Sequence, residues 1–87
     1  MNTAFILKES IYSFKKADVN VFVNVCNSLD ISITELRDLM NKQDLKAIVH
    51  MMYYSIRDRK ELTIQDMYRL DSEYLELLLD LYIKANK

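Results

Sequence analysis

The chain has 87 residues, 51% hydrophobic and 29% charged, with twelve Lys and Arg against thirteen Asp and Glu. A chain of this length holds one domain, and a net charge of −1 excludes a general polyanion binder, which carries an excess of cations. The charge is unevenly placed: residues 1–60 hold nine basic and seven acidic side chains, residues 61–87 three and six. A membrane or nucleic-acid surface would not favour so acidic a C-terminal third.

Glycine and proline are both absent. Tight hairpins favour Gly or Asn at positive φ, so Asn and Asp must serve at the corners, at 27–30, 41–44, Asp58 and Asp71. Helices joined by short polar turns need no glycine. The composition therefore predicts an all-α bundle of four or five short helices, with at most a short N-terminal strand or hairpin. Residues 1–13 read as an extended arm or short strand and residues 14–87 as the bundle, together one helical domain. The start, MNTAFILKES, has no basic segment leading into a long apolar run, so secretion is not expected. No apolar run, the Leu77–Leu79 trio included, approaches the roughly 20 residues of a spanning helix. A soluble, cytoplasmic protein is the expectation.

The segment VNVFVNV, residues 19–25, alternates like a strand, and FILKESIYSF could pair with it through the turn KKAD. As a helix, the same region puts Ala17, Val21, Phe22, Val25 and Leu29 on one face. Valine lowers helix propensity by only a few tenths of a kcal/mol relative to leucine, and the helical stripe extends beyond the valines at both ends. The reading is a helix over about 16–28. Ser32-Ile-Thr-Glu35 fits a capping box and opens a helix over about 33–41 with Leu36, Leu39 and Met40 on one side. Asp44 caps a helix over about 45–58, where Leu45, Ile48, Val49, Met52, Tyr53 and Ile56 recur at helical spacing. Thr63 precedes a brief helix over about 64–70, with Asp66 in its first turn, where negative charge suits the macrodipole. Asp71 or Ser72 caps the last helix, about 72–85.

No chemical signature accompanies these elements. His50 is the sole histidine and Cys26 the sole cysteine. They fall on different predicted helices, whereas zinc takes three or four ligands. His50 reads as a partly exposed helix residue and Cys26 as a small buried hydrophobe. Nucleophile elbows and phosphate-cradling loops both require glycine. The pairs Glu35/Asp38 and Glu76/Asp80 have the spacing of ordinary solvated helix faces. No catalytic, cofactor-binding or metal residue is assigned, and an enzyme is not expected.

ITELRDLMNKQDLKAIVHMM has the outline of a helix-turn-helix, but Arg37 stands where a small residue is wanted and Lys42 where an apolar one is. The second helix would offer Met51, Met52, Tyr53 and Tyr54 to a groove lined with phosphates. Arg57, Arg59 and Lys60 could contact phosphate, though Asp58 and Glu61 interleave with them. Two apolar surfaces rise above background. Ala47, Met51 and Tyr54 form a second stripe beside the core stripe of their helix, and YLELLLDLYI leaves only Glu76 and Asp80 polar. Both exceed what an amphipathic helix requires. The excess is expected to face a partner or another copy, through Met51 and Tyr54 on the one helix and Tyr74, Leu77 and Leu81 on the other. Ala85 extends the second stripe, while Leu75, Leu78, Leu79, Tyr82 and Ile83 are expected to turn inward.

From residue 29 onward the order of elements resembles the small tail assembly chaperones of long-tailed bacteriophages. The similarity lies in a short leucine helix (ISITELRDLM), then "DLKA" opening an apolar helix with a Tyr pair and a basic end, then "LT" before an acidic leucine-rich terminus. It covers about two-thirds of the chain, residues 29–85. Members often carry a glycine turn in an N-terminal hairpin, which this chain lacks. The resemblance implies a non-enzymatic protein that coats the helical tape-measure protein before the tail tube polymerises, in the host cytoplasm, with self-association along the client. A small inhibitor or regulator of a host protein would use the same kind of surface, and a DNA-binding regulator ranks third. On the charge balance, no duplex DNA binding is expected at physiological salt, where non-specific binders show Kd of about 10⁻⁴–10⁻⁶ M. A sub-micromolar, salt-sensitive shift of duplex in a gel would reverse that order.

Overall fold

The structure, a computed structural model, describes residues 3–87; the first two residues of the predicted arm lie outside this range. Strands β1 (Ala4–Leu7) and β2 (Ser10–Ser13) form an antiparallel hairpin. Five helices follow: α1 (Val19–Leu29), α2 (Ile33–Asn41), α3 (Leu45–Tyr54), α4 (Ile64–Tyr68) and α5 (Ser72–Ala85).

The VNVFVNV segment is helical, as its stripe predicts, and the N-terminal arm pairs with itself. Phe5 faces Tyr12 and Ile6 faces Ile11. Alternation across the pleat buries Phe5, Leu7 and Tyr12 and leaves Ile6 and Ile11 exposed. The connecting residues Lys8 and Glu9 both hold positive φ, 50° and 64°, which is the two-residue turn matched to strand twist and usually built from Asn-Gly. Lack of glycine thus does not prevent the hairpin; it places two ordinary residues in the left-handed region, at about 1–2 kcal/mol each. Asp30, Gln43 and Lys60 do the same at three later corners. Lys8 recovers part of this by pairing with Asp66 at 3.3 Å.

Four helix starts follow the sequence closely, while α1 begins at Val19, three residues after its expected start; each start is fixed by a local side chain. Asp18, Asp44 and Asp71 accept from Val21, Ala47 and Tyr74 N–H groups, while Ser32/Glu35 and Thr63/Asp66 form complete capping boxes. Such caps contribute about 1 kcal/mol apiece. The Thr63 backbone N–H, with Lys8 adding to it, holds the Asp66 carboxyl below its usual range. That contribution is present above the ordinary carboxylate pKa and is lost as pH falls through the lowered value.

Helix ends follow less well. α4 stops at Tyr68, within the usual fraying of a predicted boundary. α3 stops at Tyr54, four residues before its predicted end, for a tertiary reason. Phe14 and Ile56 form an isolated antiparallel bridge, in which Lys15 N–H donates to Ser55 O at 2.8 Å and Arg57 N–H to Ser13 O at 3.0 Å. The buried Ser55 hydroxyl meets the Tyr82 hydroxyl at 3.3 Å. Phe14, 1% exposed, packs its ring against Phe5 at 4.7 Å and edge-on to Tyr82 at 5.4 Å. Hairpin, α3 and α5 therefore meet at one point, and the core extends from there through Val21, Val25, Leu36, Met52, Met67 and Leu78.

The turn offers a direct check. Glu9→Gly should raise stability by about 0.5–1 kcal/mol, net of the entropy glycine adds to the unfolded chain. Thermal melting reads this as a rise of a few degrees in Tm; an unchanged or lower Tm would mean the turn is not strained.

Candidate protein-binding surface

Four of the five predicted contact residues lie where a partner has partial or no access. Met51 is 4% exposed, which corrects its assignment to an outward stripe. α3 is the central helix, flanked by α1, α2 and α4, so Ala47, Val49, His50, Met51 and Met52 are all buried. Tyr54 is half-buried, its ring edge-on to Tyr53 at 5.0 Å and beneath the Arg59 guanidinium at 5.2 Å. The half-buried Tyr74 donates its hydroxyl to the carbonyl of Ile6, joining α5 to the hairpin. Leu81 packs half-buried against the core. Leu77 alone projects freely, 53% exposed. Ile83, expected to turn inward, is exposed. No single groove below is lined by two of the five.

His50 also departs from expectation: it is buried. Its Nδ1 lies 2.8 Å from the Lys46 carbonyl, which can only accept, so Nδ1 carries the proton. The Tyr68 hydroxyl lies 3.2 Å from the same nitrogen. Tyr68 is pushed above the usual phenol pKa by desolvation first and by the Asp44 charge second. The pair fastens α4 to α3; its placement is structural. Among the described residues no group of His, Cys, Asp and Glu is arranged to hold a metal ion. No helix among them is long and apolar enough to cross a membrane.

The most apolar accessible surface lies on α1 and the first turn of α2. Val19, Phe22, Val23, Cys26 and Ile33 line a groove of about 450 Å³. Phe22 and Ile33 also border a second groove of about 600 Å³, with Leu36, Met40, Met51 and Tyr82 behind them. The two form one trough with Phe22 and Ile33 on their common border. Val19 is 74% exposed and Ile33 50%, although both are branched aliphatic residues that burial would stabilise. The strand-like alternation of the sequence was the signal for this trough. On a helix, valines two apart point to nearly opposite sides, so Val21 and Val25 enter the core while Val19 and Val23 face out.

A second cavity, about 500 Å³, is polar and opens where the chain leaves α3; Lys15, Asn20, Asn24, Tyr54, Arg57, Arg59 and Lys60 are among its lining residues. Arg59 is held over the Tyr53 and Tyr54 rings at 5.1 and 5.2 Å, and Lys60 over Tyr12 at 5.4 Å. Lys15 pairs with Asp18 at 3.4 Å. Among the described residues, neither guanidinium lies within salt-bridge distance of a carboxylate.

Compared with known proteins, the chain matches no protein-family model, no curated protein and no solved structure at a significant level.

The contrast between Met51 and Leu77 is testable by thermal melting. Leu77→Glu should leave stability within about 0.5 kcal/mol, whereas Met51→Glu places an unpaired carboxylate in the core and should cost several kcal/mol. Equal effects would contradict the burial of these two side chains.

Proposed function

We propose that this chain is a non-enzymatic protein-binding module whose α1–α2 trough receives an apolar helix of a protein client. One observation carries this: Val19, Phe22, Val23 and Ile33 lie together at the surface around an apolar groove. Contiguous exposed apolar surface on a small soluble chain marks an interaction site. An amphipathic helix in such a groove is a recurrent recognition mode, with anchors at i, i+3, i+4 and i+7. Met40 on the wall of the adjoining groove suits varied clients, since the thioether side chain adapts its shape.

The finer reading is a tail assembly chaperone that coats a tape-measure protein, as the resemblance implies. The N-terminal hairpin followed by short helices supports it, because a hairpin is the element members often carry ahead of the leucine helix. Two-residue turn chemistry at Lys8 and Glu9 replaces the glycine turn. A long helical client suits a shallow apolar trough better than a closed pocket would.

The test is co-expression of the chain with a tape-measure protein of a long-tailed phage, followed by co-purification and affinity measurement. Burying a Val or Ile side chain is worth about 1.5–3 kcal/mol. Val19→Glu with Ile33→Glu should therefore weaken client binding at least about tenfold while Tm stays near that of the parent chain. Undiminished binding by the folded variant would reject the trough as the client site.

A further inference from the structure

Two surfaces of this molecule are opposite in charge, and each holds charged side chains with no ion-pair partner among the described residues. The first is the cavity between α1 and the loop after α3, lined by Lys15, Arg57, Arg59 and Lys60 against the single carboxylate of Asp58. Arg57 is exposed, and Arg59 is held in place by the two tyrosine rings. The second is the outer face of α5. Glu73, Glu76, Leu77 and Asp80 fall at i, i+3, i+4 and i+7, a single helix face, and all four are exposed. None of these three carboxylates has a cationic partner among the described residues.

The shapes agree as well as the charges. Guanidinium groups fork onto carboxylates, and Glu76 with Asp80 presents two of these one helical turn apart. Leu77, the side chain between them, would meet the ring of Tyr54, which lines the cavity. The side-chain amides of Asn20 and Asn24 on the opposite wall can donate to a further carboxylate oxygen.

We propose that the occupant of the basic cavity is α5 of a second copy of this chain, seated through Glu76, Leu77 and Asp80. The donor and acceptor surfaces are different parts of one molecule, so the contact is head to tail. It either closes into a ring or extends as an open row. The contact is built mainly from exposed ion pairs, so it is weak for a single pair of copies and sensitive to salt. It adds to the client-binding reading the means by which copies line up along a client, but it uses neither Val19 nor Ile33, so each fails independently of the other.

Charge reversal with complementation tests it. By sedimentation velocity, the parent chain at low salt should show concentration-dependent mass above the monomer. Raising NaCl from about 50 to about 500 mM should weaken association by at least about tenfold. Arg57→Glu with Arg59→Glu, and separately Glu76→Lys with Asp80→Lys, should each be monomeric. An equimolar mixture of the two variants should associate again, because each supplies the surface its counterpart needs. Arg57→Glu alone, which leaves the Arg59–tyrosine stack untouched, should weaken association in the same direction, and circular dichroism checks that each variant is folded. A parent chain that stays monomeric at all concentrations overturns the proposal, as does a closed dimer indifferent to these substitutions. So does a mixture that remains monomeric; the cavity would then belong to an acidic partner of another kind.

Discussion

The short backbone pairing between Ser13–Lys15 and Ser55–Arg57 governs the rest of this molecule. Its two hydrogen bonds are ordinary in strength, each contributing about 0.5–1.5 kcal/mol net, but their position gives them reach. They stop α3 at Tyr54 against a sequence that would continue it. They carry Phe14 into the centre of the core, beside Phe5 and Tyr82. They also turn the following residues out of the helix, so that Arg57, Arg59 and Lys60 form a loop facing α1 instead of a last helical turn facing solvent. The basic cavity is a product of this junction.

A small chain rarely surrounds a helix on all sides, yet beyond its first turn α3 is nearly enclosed, with Ala47, Val49, His50, Met51 and Met52 all buried. Its apolar residues run nearly all round, which is the pattern of a buried helix. α1 has the opposite arrangement. It is capped by Asp18, it sends Val21 and Val25 inward, and it keeps a second apolar face outside. The apolar trough thus lies along the helix that reads least like a helix, and the central helix is one of the two whose sequence suggested a binding stripe.

That reversal shows what was legible. Helix starts at residues 33, 45, 64 and 72 could be read because a cap is a contact between residues three apart. The bend after Tyr54 could not, because its cause lies about forty residues away in Ser13 and Lys15. The Lys8–Glu9 turn was hidden for a different reason: neither residue prefers the left-handed region, and the strand pairing on either side imposes it. The apolar surplus of the chain was visible in its composition. Its location was not, since periodicity reveals that a helix has two apolar faces without revealing which neighbours cover them. Met51, read as facing outward, is buried, and Phe22, read on one stripe with Val21 and Val25, borders the trough. The exposure of Leu77 was legible because α5 ends the bundle and has few neighbours to hide it.

Cys26 lies half-buried on the wall of the α1–α2 trough, on the same helix as Phe22 and Val23. A thiol reacts with alkylating reagents through its thiolate, and at a fixed pH the rate falls when access to the sulfur is blocked. A helix lying in the trough would cover the sulfur along with its apolar neighbours. The unmodified protein therefore contains a single-site chemical footprint of its own occupancy, with no other cysteine to confuse the readout.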